Sequence, residues 1–346
     1  MKIGFACKYM HENRSLDKKE IELIEKEYNT KTTTLKWIKS VDEKTSEEKL
    51  FSIISHNLES QIKMLLYIKS LPEVLHMFRI SSDLLPLYTH SSCKWFYKQK
   101  YVQEFLEKKF SEIGNLARKE NIRLSMHPGQ FCVLASSNEN IVENSIDEFE
   151  YHADMIRMMG YGKKFQDFKC NIHISGQMGV EGMLKVYPRL SEVAKNTITI
   201  ENEEKKYGVN SCIELYKKIP IVLDVHHCWI HEEDYISIND KRVQIILESW
   251  RGIRPTMHYS QSREELYFYG NNSKLEIKEI LKKLNKKDLY AHSDKMWNDW
   301  SNKYVLDFMK DFDIMFEAKH KNLSTIEFFN HYIKNNNWLN TNKTLK

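Results

Sequence analysis

The chain has 346 residues, of which 41% are apolar and 29% charged, with a formal net charge of +4. That apolar share supports a sizeable core and excludes a disordered chain. No run approaches the roughly 18 apolar residues of a membrane span, so a soluble, intracellular protein is expected, cytoplasmic or nuclear, with no membrane partner. The small positive excess permits a nucleic-acid partner without arguing for one, because a binding patch needs clustered charge.

Taken in chain order, short apolar runs alternate with longer segments of helical period. Lys2–Lys8 (KIGFACK) reads as the first strand. The Lys- and Glu-rich stretch His11–Glu48 reads as a charged insertion. Leu50–Lys69 then spaces its apolar residues three and four apart and reads as a helix. His76–Ser82 (HMFRISS) is the second strand. Ser91–Tyr101 mixes lysines with aromatics, a pattern that suits phosphates and stacked bases. The same pattern also suits a helix start with a core-facing aromatic stripe, the commoner case. Val102–Asn121 is a predicted helix, Ile122–Gln130 (IRLSMHPGQ) a strand, and Val142–Met159 a helix. Cys170–Gly176 (CNIHISG) is a strand, Glu181–Asn196 a helix, and Thr197–Asn202 (TITIEN) a strand. The remaining strands are Pro220–His227 (PIVLDVHH), Arg254–Gln261 (RPTMHYSQ) and Asp313–Lys319 (DIMFEAK). A polar tail follows, at 331–346. The six cysteines form no CxxC pair and are read as free thiols.

Strand then helix, repeated, argues for a parallel sheet. Eight such strands fit a single (β/α)8 TIM barrel of the α/β class, which needs about 250 residues and more with insertions. One domain over 1–330 is therefore expected. A barrel collects the C-terminal ends of its strands at one face. In each run the polar residue comes late, so that face would gather His127, His173, Glu201, Asp224, His227, His258 and Glu317. Any one of these histidines alone reads as a satisfied core or loop residue, and a lone carboxylate as a cap or ion pair. Together they differ, because a carboxylate following ITI or IVL is expensive to bury unless paired or bound to metal. Imidazole with carboxylate, without thiolate, suits Mn, Fe, Co or Zn. Several such ligands suggest more than one ion, the arrangement that serves phosphoryl displacement. At the tip of His127-Pro128-Gly129, the pair Gln130-Phe131 either wedges into a nucleic-acid stack or folds back on the core.

FRISSDLLPLYTH, RLSMHPGQF, NIHISG, IENEE, LDVHH, RPTMHYS and DIMFEAK, in this order and spacing, resemble the UV damage endonucleases, repair nucleases related to the endonuclease IV group. The likeness runs from Lys2 to about Lys321. It implies a barrel with a metal cluster at the C-terminal face, loaded with two or three divalent ions. Mn²⁺ is expected, with Zn²⁺, Co²⁺ or Mg²⁺ as substitutes. The family's ligands fall on His90, His127, His173, Glu201, Asp224, His227, His258 and Glu317; Glu201 would bridge, and His292 would lie at the scissile phosphate. Of the adjacent His226 and His227, the family's spacing selects His227. The implied substrate is damaged double-stranded DNA, cut just 5′ of a cyclobutane dimer, a 6-4 photoproduct or an abasic site. Phe5, Tyr9, Gln130 and Phe131 match lesion-contacting positions. A monomer is expected, with no protein partner indicated.

Three positions depart from the family pattern. Phe131 and Phe5 stand where Tyr is common, and Tyr9 aligns with an Asn. Thr256 stands where some members carry a carboxylated Lys, and it cannot supply that ligand. Two other functions remain open on the residues alone: a sugar isomerase or epimerase on the related barrel, and a damage-binding protein without catalysis.

Overall fold

The computed structural model describes residues 1–270 and 272–335. Eight strands close into a parallel barrel in chain order. They are β1 (Ile3–Ala6), β2 (Met77–Arg79), β3 (Arg123–Met126), β4 (Lys169–His173), β5 (Ile198–Glu201), β6 (Ile221–Asp224), β7 (Thr256–Tyr259) and β8 (Asp313–Phe316). Each lies inside one of the runs read from the sequence.

Successive side chains of a strand point to opposite faces. Outward residues such as Ile3, Phe5, Phe78, Leu124, Ile172, Ile200 and Phe316 join the main core under the helices. Ala6, Met77 and Met315 form a separate small cluster, the inward layer. Alternation then sends Lys169, Asn171 and His173 of β4 to one face, and Thr256 and His258 of β7 likewise. At the N-terminal end of the barrel Asp313 accepts from Arg123 (2.6 Å) and Arg254 (2.9 Å). The register sets His173 beside Glu201 and Asp224 beside His258.

Helices Glu43–Ser70, Lys100–Lys119 and Glu139–Met158 cover the outside and agree with the sequence reading. The predicted helix 181–196 is instead two, Gly179–Val186 and Glu192–Thr197. Tyr187-Pro188-Arg189 separates them as a 3-10 turn, because proline cannot continue the ladder, and Ser191 then caps the second. Between β1 and Glu43 the charged insertion folds into Lys18–Lys26 and Leu35–Ile38. Across the expected boundary at 330, Phe329–Lys334 forms one more helical turn, with Tyr332 and Ile333 buried and the Tyr332 hydroxyl on Asp299 (2.9 Å). Residues 336–346 of the expected tail lie outside the described residues.

Candidate metal centre

The centre is built around Glu201, the last residue of β5, which is fully buried. His258 Nδ1 lies 2.9 Å from its Oε1, and His227 Nδ1 lies 3.6 Å from the same oxygen. His127 Nε2 and His173 Nε2 stand 3.3 and 3.8 Å from Oε2. Asn171 Nδ2, two residues before His173 on β4, also donates to Oε2. Glu317, just past β8, has Oε1 3.3 Å from His258 Nδ1 and is ion-paired with Arg79 of β2.

Asp224 reaches the group through a local device. β6 runs directly into helix Val225–Glu232, with Asp224 as its N-cap accepting from His227 N (2.8 Å). The cap interaction brings residue i+3 back over the carboxylate. His227 Nδ1 therefore lies 3.7 Å from Asp224 Oδ2. Its Nδ1 also contacts the Asn202 carbonyl oxygen (3.0 Å).

The charges follow from this crowding. Burial acts to raise the Glu201 carboxyl, but His258 and His173 outweigh it and hold it well below the usual range. Burial, with Glu201 and Glu317 nearby, pushes Asp224 well above it. His173 and His258 are driven down to about 4 by burial. His227 rises to about 9, because Asp224 and Glu201 overcome the opposing effect of burial. Lys169 Nζ sits 2.8 Å from His258 Nε2, and burial lowers it to about 7.

These residues fit divalent ions. Asp224 Oδ2 and His173 Nδ1 are buried without a hydrogen-bond partner, and a buried carboxylate oxygen left unpaired calls for a cation. Two ligand groups arise, His127/His173/Glu201 and Glu201/Asp224/His258, each with donor atoms within 4.8 Å of one another. They share Glu201. The set is imidazole and carboxylate, suited to Mn or Zn rather than to a thiolate-bound metal.

His292 lies at the rim, its Nδ1 2.9 Å from the Glu317 carbonyl oxygen. His90 does not join the residues that meet at Glu201. It sits in the loop beyond β2, where its Nδ1 accepts from Ser92 N (3.1 Å). Gln130 is exposed and Phe131 is 84% exposed, so the tip pair points away from the core. Phe5 and Tyr9, expected at the lesion, are both buried. Phe5 is 1% exposed and packs outward from β1 onto Phe78 (5.3 Å), because it shares the strand face of Ile3. Tyr9 is 6% exposed, held between Tyr28 and Tyr67. In the Ser91–Tyr101 stretch Phe96 and Tyr97 are core residues, as in the commoner reading.

Arg79, Lys169, Asn171 and Glu204, whose Oε2 lies 3.8 Å from His227 Nε2, belong to the centre without having been singled out. Period-two alternation back from His173 would have flagged Asn171 and Lys169. Arg79 stood in the HMFRISS run without a signal of its own.

A closed parallel barrel that gathers imidazoles and carboxylates at the C-terminal ends of its strands is a (β/α)8 barrel equipped to hold divalent ions. The family described as UV-endonuclease UvdE matches residues 1–342, and the chain belongs to that family. It is 27% identical over 300 residues to a UV DNA damage endonuclease of Bacillus velezensis, covering 84% of this chain and 85% of the relative. It is 29% identical over 277 residues to a UV-damage endonuclease of Schizosaccharomyces pombe, covering 75% of this chain and 41% of that longer protein. The crystal structure of SacUVDE shares the fold, with a TM-score of 0.71 at 23% identity over 97% of this chain and 99% of that one. Among the described residues no helix is long and apolar enough to cross a membrane.

Proposed function

We propose that this protein is a metal-dependent repair endonuclease. It incises damaged duplex DNA immediately 5′ of cyclobutane pyrimidine dimers and 6-4 photoproducts, and also acts at abasic sites, leaving a 3′-hydroxyl and a 5′-phosphate. The observation that carries the reading is the sharing of Glu201 between two ligand groups in a chain of the UV-endonuclease family. Divalent ions held by these residues, Mn²⁺ in this reading, would supply charge stabilisation for an in-line displacement at phosphorus.

The chain's own residues supply the rest. Glu201, common to both ligand groups, would help hold each ion. Arg79 holds Glu317 in place against His258. His292 donates its Nδ1–H to the Glu317 carbonyl oxygen, which assigns the lone pair to Nε2. Burial lowers its pKa, so the neutral ring takes the proton of the attacking water at Nε2, while the leaving 3′-oxygen draws its proton from solvent. Gln130 and Phe131, at the exposed tip beyond β3, fill the gap left by extruded nucleotides. Damaged bases are weakly stacked and cost less to extrude, so deformability rather than sequence is read.

A nicking assay on a 5′-labelled duplex with one cyclobutane dimer, in Mn²⁺, Mg²⁺ and EDTA, tests this. The expected result is a cut one bond 5′ of the dimer in Mn²⁺, absent in EDTA and on undamaged duplex. Cutting that survives EDTA, or that ignores the dimer, would overturn the proposal.

A further inference from the structure

The two most exposed large hydrophobic side chains among the described residues are both phenylalanines: Phe268 at 93% and Phe131 at 84%. Both lie on segments that leave the C-terminal end of a strand, Phe131 after β3 and Phe268 after β7. In the closed ring of eight, three strands separate β3 from β7 in either direction. The two segments therefore leave opposite sides of the ring of strand ends that carries Glu201.

Phe268 is carried on a segment anchored by packing and hydrogen bonds. It sits in the 3-10 segment Glu264–Tyr269. Leu266 anchors that segment in a small core with Trp229, Ile277, Ile280 and Leu289. Asn298 Nδ2 donates to the carbonyl oxygens of Gly270 (2.9 Å) and Ser273 (3.1 Å). Glu264 Oε1 accepts from the backbone N–H groups of Asp294 (2.8 Å) and Lys295 (3.0 Å). Ser262 pairs with His292 across an isolated bridge. The platform is thus tied to the rim histidine of the metal centre and, through Trp229, to the helix that carries His227. An aromatic ring held out by such a base buries nothing of its own chain. The exposed Arg263 beside the segment adds a phosphate-binding charge.

We propose that Phe268 is a second DNA-stacking residue, engaging the duplex on the opposite side of the metal centre from Phe131. Aromatic rings stack on bases without regard to sequence, and apolar wedges between base steps kink a duplex. Phe131 then reads the lesion, while Phe268 grips the undamaged flank. This inference rests on the DNA substrate proposed above.

The test scans 2-aminopurine along both strands of a dimer-containing duplex and reads its fluorescence on binding the metal-loaded protein, together with affinity for damaged and undamaged duplex. Two zones of brightening are expected. The one at the lesion is lost in Phe131→Ala. The other, away from the lesion, is lost in Phe268→Ala and retained in Phe268→Trp. Phe268→Ala is expected to weaken binding to both duplexes by about 5- to 150-fold, with thermal unfolding and metal content unchanged. A single bright zone at the lesion, or a second zone and affinities that ignore Phe268→Ala, overturns this inference and leaves the repair reading intact. Self-association that depends on Phe268, with DNA binding unchanged, overturns it equally. Equal binding of damaged and undamaged duplex by the wild type would instead overturn the repair reading.

Discussion

Lys169→Met removes a buried amine that touches the centre. Lys169 is wholly enclosed by the barrel, and its ammonium form is disfavoured, with the pKa lowered from 10.5 to about 7. Its folded pKa is depressed below the unfolded one, so between those values the unfolded chain binds more protons. Stability therefore rises as pH climbs from about 7 towards 10.5, and is withheld at neutral pH. At pH 7 the penalty is about 4 kcal/mol. Losing the contact with His258 Nε2 returns about 1 kcal/mol. Metionine is a close volume match and brings no strain. Metal-free Lys169→Met is therefore expected to be about 3 kcal/mol more stable than the wild type at pH 7. That advantage should vanish near pH 10.5. Urea unfolding of both chelated proteins across pH 7 to 10.5 measures it. Equal stability at pH 7, or a difference that does not shrink with rising pH, would refute the reasoning.

Glu201→Gln is expected to abolish incision while leaving affinity for damaged duplex within a few-fold, since Glu201 touches the ligands and not the DNA-facing tip; near-normal nicking would remove it from the mechanism. Phe131→Ala should leave stability within about 0.5 kcal/mol, because the ring is exposed. It should weaken binding to dimer-containing duplex by about 5- to 150-fold, as read by fluorescence anisotropy. His152, buried and driven down to about 4 by burial, is a neutral group in the folded chain. The stability it contributes is present above the unfolded value near 6.5 and lost as pH falls from there towards about 4. His152→Gln should flatten the wild type's decline across that window in chelated protein, and an unchanged slope would count against it.

The eight strands were legible because each is a short run whose outward residues are apolar, set between longer segments of helical period. The residues that meet at Glu201 stood out because several directly follow a strand run, as Glu201 follows ITI and Asp224 follows IVL. What escaped depends on three-dimensional direction. Phe5 lies in the first strand run, and the strand's alternation turns it outward to Phe78. Tyr9 lies beyond that strand, where Tyr28 from the charged insertion and Tyr67 from the long helix close over it. Lys169 falls just outside the run Cys170–Gly176, and only the closed barrel brings it to His258 from three strands away. The platform at 262–292 has no periodic pattern, since it is built from 3-10 turns and side-chain caps such as Asn298. Pro188 marked a break that the apolar spacing of 181–196 concealed.

The most direct test of the centre is the number of ions it holds. Elemental analysis of protein dialysed against Mn²⁺, for wild type and Glu201→Gln, measures it. Two or three ions per chain in the wild type, with loss at more than one position in the variant, is the predicted result. One ion or none in the wild type, or an unchanged count in Glu201→Gln, would contradict a centre organised around a shared Glu201.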